Sequence, residues 1–234
     1  MRFDAKNGQT IKPIEVQYSR SIGELPQLSW IGREFLGWRT TRGVKVTQNT
    51  FVYEDMDLVA DWKLIQYSIT YDCWLQSMYI PAEMKKTYTI VDREYVPPDL
   101  DYPGYIFNGW TPEKLPANST GNWKFTASWY LDTFALSFDL NYETEEEPPE
   151  DIAITYKDPI GELPTVERRG YEFVGWAVEK DGQEFINSET EYDAPEDMTV
   201  YAIWKPIVYT IEYDLGGHGR LPLEFPVEYT IENQ

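Results

Sequence analysis

Apolar and polar residues alternate with a period of two in four stretches of the chain: Met1–Ala5, Tyr67–Cys73, Phe134–Leu140 and Tyr209–Leu215. Such runs, enriched in aromatic and β-branched side chains, predict strands with one buried face. In each an aspartate follows an aromatic residue and falls on the polar face, at Asp4, Asp72, Asp139 and Asp214. A second alternating run follows at Ile14, Val16 and Tyr18, at Ile152, Ile154 and Tyr156, and at Phe225, Val227 and Tyr229, with a weaker version around Met84–Tyr88. These runs predict a hairpin opening each copy of one unit.

The unit continues into a block that recurs without a gap: LPQLSWIGREFLGW at Leu25–Trp38, PPDLDYPGYIFNGW at Pro97–Trp110 and LPTVERRGYEFVGW at Leu163–Trp176. Each block sets a glycine six residues and a phenylalanine three residues before a Gly-Trp pair. A closing strand then ends in a second tryptophan, at Trp62, Trp129 and Trp204. The two tryptophans are 24, 19 and 28 residues apart, and variation confined to one segment reads as a surface loop. The chain is therefore a tandem array: repeat one over 1–64, a degenerate repeat two over 65–131, repeat three over 132–206, and a partial fourth repeat, a β-hairpin, over 207–234. The joints at Asp61–Ile65, Trp129–Asp132 and Trp204–Ile207 are short, which predicts a semi-rigid, elongated rod. Small units bury small cores, and the 16% aromatic content compensates because each ring buries a large area. The recurrent residues Phe35, Trp38, Trp62, Phe107, Trp110, Trp129, Phe173, Trp176 and Trp204 are assigned to those cores. The glycine beside each first tryptophan is read as permitting close packing.

Charge narrows the partners. Forty acidic against twenty basic residues give a formal charge of −20, which argues against nucleic acid and against electrostatic attachment to anionic lipid. The densest run, Glu143–Asp151, carries six carboxylates in nine residues but no calcium-loop spacing, so it reads as a solvated hairpin loop. Cys73 is the one cysteine and shares its position with Ala5, Leu140 and Leu215, which makes it a small core hydrophobe rather than a nucleophile. No run reaches the roughly 18 apolar residues of a membrane span, so no direct membrane insertion is expected. Strand-like sequence starts at Met1 with no signal peptide, so the chain reads as a piece of a longer polypeptide.

Catalytic chemistry finds little footing. The lone histidine, His218, sits in Gly-Gly-His-Gly between predicted strands and reads as a turn; one histidine cannot build a multi-histidine metal site. What recurs between copies is Gly, Trp, Phe, Tyr and Pro, residues of packing and turns, so no catalytic, cofactor or metal residue is assigned and no cofactor is expected. Trp30, Trp74 and Trp123 have no tryptophan counterpart in the other copies and are the candidates for ligand contact, with a host or cell-surface protein or a glycan as the partner. Tyr209, Ile211, Tyr213 and Leu215, facing Phe225, Val227 and Tyr229, form a hairpin that needs a cover. It is loose, docked on repeat three, or an element of self-association by strand addition.

Taken together, Tyr209–Gly217, Gly161–Pro164, Gly170–Trp176 and Ala194–Trp204 resemble the Listeria–Bacteroides repeat, the unit typified by the B-repeat of internalin B. The resemblance spans almost the whole chain, is strongest in the third copy and weakest in the second, where Pro97-Pro98 replaces Leu-Pro. It implies mainly-β, α+β small units of β-grasp-like fold: a hairpin, a crossing segment with room for a short helix, and further strands in one mixed sheet. It also implies a secreted or cell-surface bacterial protein in which the repeats are a stalk, spacer or adhesion module. Alternatives are a self-assembling filament subunit and a carbohydrate- or protein-binding module of a larger surface protein.

Overall fold

The computed structural model describes residues 1–74, 80–217, 219–220 and 225–233. His218, read as part of a turn, lies outside the described residues. The chain divides into two compact units, Met1–Leu100 with Asn108–Ser128, and Asp101–Phe107 with Trp129–Gln234.

Repeat one contains β1 (Arg2–Asp4), β2 (Arg20–Ser21), β3 (Arg33–Thr40), β4 (Lys45–Val46), β5 (Phe51–Val52) and β6 (Asp57–Leu64). Its sheet runs β1-β6-β3-β4, with β1 parallel to β6 and the other pairs antiparallel; β2 and β5 pair separately. Repeat two supplies β7 (Tyr67–Asp72), β8 (Thr87–Tyr88), β9 (Tyr105–Thr111) and β10 (Trp123–Leu131), ordered β8-β7-β10-β9. Repeat three supplies β11 (Thr133–Asp139), β12 (Ile152–Thr155), β13 (Tyr171–Ala177), β14 (Phe185–Ile186) and β15 (Met198–Pro206), ordered β12-β11-β15-β13-β14. The remaining segment pairs β16 (Tyr209–Thr210) with β17 (Glu228–Tyr229) antiparallel.

In all three sheets the first strand lies parallel to the closing one, a pairing that a tight hairpin cannot make. The crossing segment between them carries no helix: the described residues are all β-strand, turn and irregular chain. It crosses by dropping side chains onto the sheet, Leu25 and Leu28 in repeat one and Leu163 and Val166 in repeat three. The predicted strand over Ile14–Tyr18 is also absent. There Met1 and Ile14 exchange two hydrogen bonds (2.9 and 3.1 Å) and the chain then turns at Gln17–Arg20.

Aromatic side chains fill each core. Trp38, Trp110 and Trp176 are 1%, 8% and 2% exposed. Each indole N–H donates to a proline carbonyl twelve residues upstream, Pro26 at 2.8 Å, Pro98 at 2.9 Å and Pro164 at 2.7 Å. A buried indole needs such an acceptor, which explains why the crossing segment always passes at this point. Phe35 meets Trp38 and Trp62 edge-on or tilted at 5.7 and 5.1 Å, Phe173 meets Trp176 and Trp204 at 5.4 and 5.5 Å, and Phe107 meets Trp129 at 5.1 Å.

The glycine before each of those tryptophans packs closely only in repeat three, where a Cβ on Gly175 would lie 3.3 Å from Phe185 Cδ1. At Gly37 and Gly109 no atom lies within 4 Å of the place a Cβ would take. Their φ values are +109° and +104°, and the register with β6 slips between Phe35 and Gly37, as it does with β15 between Phe173 and Gly175. Glycine is used here to make a β-bulge.

Candidate functional site

The other glycine of the block, six residues before the tryptophan, builds a joint between consecutive repeats. It is the third residue of a tight turn in which Arg33 N donates to Trp30 O, Tyr105 N to Tyr102 O and Tyr171 N to Arg168 O, each at 3.0 Å. Gly32, Gly104 and Gly170 have φ of +69°, +81° and +79°, a conformation that favours glycine at this turn position. The carbonyl of each glycine accepts from the first residues of the next repeat: Ile65 N at 3.0 Å, Asp132 N at 3.0 Å and Ile207 N at 2.9 Å.

Into the space left by the missing side chain goes one residue of the next repeat: Ile90 at Gly32, Tyr156 at Gly104 and Ile231 at Gly170. A Cβ on Gly32 would sit 2.6 Å from Ile90 Cβ, and one on Gly170 would sit 2.8 Å from Ile231 Cδ1. The inserted residue is itself displayed by a turn, closed by Asp92 N to Thr89 O (3.0 Å), Asp158 N to Thr155 O (3.0 Å) and Asn233 N to Thr230 O (3.2 Å). Repeat one has the same turn, Arg20 N to Gln17 O at 3.2 Å, and displays Tyr18. Each of the three joints lies inside one compact unit. The second is reinforced by Tyr105 against Tyr156 at 5.6 Å, the third by the Tyr171 hydroxyl donating to Glu232 at 3.1 Å. At the first, Asp92 accepts from Lys85 Nζ (2.8 Å) and from Thr89 amide (2.6 Å) and hydroxyl (2.8 Å). The Lys85 hydrogen bond foremost, then the Thr89 bonds, pull its carboxyl down to about 2.

The recurrent aspartates also have a shared task. Asp4, Asp72, Asp139 and Asp214 each accept from the backbone N–H two residues on, at 2.9, 3.3, 2.7 and 2.8 Å. That residue, Lys6, Trp74, Asn141 or Gly216, has φ between +58° and +65°. These are Asx turns, and in the first three repeats they fall on the last residue of the first strand.

Of the three tryptophans singled out for ligand contact, two are half-buried and pack against aromatic neighbours of their own repeat. Trp30 sits edge-on to Trp62 at 5.5 Å with the Arg33 guanidinium 4.2 Å above its ring. Its place across the turn is taken by Tyr102 and Arg168 in the other repeats, and in repeat three cation and ring are exchanged, Arg168 lying 3.7 Å over Tyr171. Trp123 pairs with Ile69 just as Met198 pairs with Leu136, and it leans on Phe125 at 6.4 Å. Both therefore have counterparts, of other residue types, that the sequence alignment did not expose. Trp74 is 83% exposed.

In the terminal hairpin Tyr209 stacks on Tyr229 at 5.2 Å and Tyr213 meets Phe225 edge-on at 4.7 Å. Ile211 N donates to Val227 O at 2.8 Å, and Ile231 and Glu232 fasten the segment to repeat three, while Tyr209, Leu215, Phe225, Val227 and Tyr229 stay exposed. Cys73 is buried, and burial, aided by the charge of Asp72, raises its thiol pKa. Residues Glu143–Pro148 are exposed, with Glu146 accepting from Tyr142 at 2.9 Å. Among the described residues no group of three His, Cys, Asp or Glu side chains is arranged to hold a metal ion. The described residues hold no helix long and apolar enough to cross a membrane.

The family model of the Listeria-Bacteroides repeat domain matches residues 1–61 and 134–203, more than half of the chain. Two curated proteins of Evansella cellulosilytica are similar. One, described as "Putative membrane protein", is 26% identical over 242 residues, covering 97% of this chain and 36% of that protein. The other, "Putative Gly-rich membrane protein", is 24% identical over 230 residues, covering 94% of this chain and 26% of its own length. The chain thus spans about a third or less of the curated relatives it matches. Among solved structures, domains 3-4 of the Streptococcal High Identity Repeats in Tandem from a cell surface protein align at a TM-score of 0.23 and 9% identity, over 61% of this chain and 99% of theirs.

Proposed function

Because the chain belongs to the Listeria-Bacteroides repeat domain family, we propose that it is part of the non-enzymatic repeat region of a bacterial cell-surface protein, extending from the envelope as an elongated stalk or spacer. The observation that carries this reading is the joint. The same glycine turn receives one side chain of the following repeat three times, so each copy is coupled to the next through a fixed contact. The residues that recur are consumed by cores, bulges, Asx turns and joints, while the polar surface differs from copy to copy. The descriptions of the two curated relatives, "Putative membrane protein" and "Putative Gly-rich membrane protein", fit an envelope location. Arrays stabilised by nearest-neighbour interfaces suit reach rather than a single pocket.

Small-angle scattering of the chain and of a form truncated after Pro206 tests the stalk. Maximum dimension should fall in proportion to the length removed, while the cross-sectional radius stays constant. A particle whose maximum dimension does not change on truncation would refute it.

A second reading, adhesive contact with a glycan or surface protein, draws on Trp74. A bulky side chain at φ +65° is uncommon, and here the Asx turn of Asp72 fixes it in the open. Intrinsic tryptophan fluorescence titrated across a glycan array, with Trp74→Ala as the comparison, tests it; equal responses of parent and variant would remove Trp74 from consideration.

A further inference from the structure

Tyr18 repeats the geometry of Ile90, Tyr156 and Ile231, yet among the described residues no glycine turn fills the place in front of it. All four residues follow the first residue of a turn closed by an i to i+3 backbone hydrogen bond, from Gln17, Thr89, Thr155 and Thr230. The other three are half-buried against the glycine of the preceding repeat. Tyr18 is 75% exposed, and its ring contact among the described residues is Tyr53, edge-on at 5.7 Å and itself 60% exposed. Tyr18 and Tyr53 thus present an exposed aromatic pair on a closed turn, at the place where the following repeats make their joint.

We propose that Tyr18 and its turn form the receiving half of a fourth joint, whose occupant is the glycine turn of a Listeria-Bacteroides repeat placed ahead of Met1 in the same polypeptide. The occupant is identified by what covers the equivalent residue in the three joints that are closed. It is each time a turn with glycine at positive φ, followed three residues later by Phe35, Phe107 or Phe173. A side chain at that glycine would collide with the inserted residue, so the surface selects for glycine turns and against other β-turns. A second copy of this chain is a poor source, because Gly32, Gly104 and Gly170 are already occupied by Ile90, Tyr156 and Ile231. The proposal rests on the array reading and is independent of what the array carries.

The register fixes the test. Asp4, Asp72, Asp139 and Asp214 occupy one position, so Met1 stands where Ile211 stands. A chain with residues 132–210 added directly ahead of Met1 therefore presents a repeat-three glycine turn to Tyr18. Tyr18→Ala and Tyr18→Ile are made in the chain as it stands and in the extended chain. In the extended chain Tyr18→Ala should lower the melting temperature by several degrees, and Tyr18→Ile should restore it, since isoleucine fills this place at two joints. Gly170→Ala in the added segment should give the same loss, with no further loss on combination with Tyr18→Ala. In the unextended chain both Tyr18 variants should melt with the parent, and the chain should sediment as a monomer. Three results would overturn the proposal: equal losses for Tyr18→Ala with and without the added repeat, no loss in either, or a dimer of the unextended chain that Tyr18→Ala abolishes. A scattering profile that refutes the stalk leaves these melting differences untouched, so the two failures can be told apart.

Discussion

Gly32→Ala should separate repeat one from repeat two. Two costs add. The first is conformational: at φ +69° an L-residue is strained by about 1–2 kcal/mol. The second is steric, because the new methyl would lie 2.6, 2.7 and 2.8 Å from Ile90 Cβ, Cγ2 and Cδ1. The nearest of these atoms is a Cβ, which no rotamer change can move, so the backbone of one repeat must shift. Overpacking of that kind costs about 1–3 kcal/mol. A total of about 2–5 kcal/mol falls on one interface, and the hydrogen bond from Ile65 N to Gly32 O is strained with it. Gly43→Ala is the control: φ is +84°, but no atom lies within 4 Å of the added methyl, so only the conformational cost applies. Urea denaturation followed by tryptophan fluorescence should show a broadened or split transition for Gly32→Ala, with a reduced m-value because the repeats no longer unfold together, and a simple shift for Gly43→Ala. Indistinguishable transitions for the two variants would refute the joint.

Trp176→Ala removes a side chain 2% exposed and should cost about 3–5 kcal/mol, read as a lowered melting temperature; a melt overlapping the parent would displace it from the core. Trp176→Phe keeps a ring against Phe138 and Phe173 but leaves the Pro164 carbonyl without its donor, and should cost about 1–3 kcal/mol by the same measurement. Cys73 should resist a thiol reagent in native protein and react promptly in denaturant; equal rates would place it at the surface. The Asp92 carboxyl, held at about 2 against an unfolded value of about 3.9, contributes stability that is complete above the unfolded value and is lost as pH falls toward 2. Asp92→Asn should therefore flatten the dependence of melting temperature on pH between about 4 and 2; an unchanged slope would mean other carboxylates govern that window.

How far the sequence could be read depended on where each apolar residue finds its partner. The first strands and the paired tryptophans were legible because their partners lie within the same repeat, and alternation reports a buried face directly. The expected strand over Ile14–Tyr18 came from the same rule and failed for a physical reason. Tyr18 is apolar because its position serves a joint, so the period-two signal mixed a sheet contact with an interface contact. In repeat three the corresponding strand, β12, likewise ends at Thr155, one residue before Tyr156 enters its joint. The glycine turns were visible as recurrent glycines, but only the neighbouring repeat's position reveals that their missing side chains are filled. Trp30 and Trp123 stand alone as tryptophans because other residue types hold their positions in the neighbouring repeats. Their counterparts are Tyr102 and Arg168, and Met198, which preserve the contact with different chemistry.

Repeat two shows which features of the unit the joint and the core require. It reads as degenerate, with Pro97-Pro98 in place of Leu-Pro, and it falls outside the residues the family model matches. Yet Trp110 donates to the Pro98 carbonyl at 2.9 Å as its equivalents do, and Gly104 and Ile90 complete the joints on either side. What the core needs from the crossing segment is a backbone acceptor at a fixed height over the indole, supplied by a proline carbonyl in each repeat whichever residue precedes it. What the joint needs is the absence of one side chain and an exposed side chain opposite, met by isoleucine or tyrosine. Sequence drift in repeat two is therefore tolerated beside the acceptor, at Pro97, and at the inserted residue, while proline at the acceptor and glycine at Gly104 are kept. Gly104→Ala should disturb the array as severely as Gly32→Ala although the two repeats around it look unequally intact; a milder transition at Gly104 would mean that the Tyr156 ring, unlike the Ile90 Cβ, can swing aside.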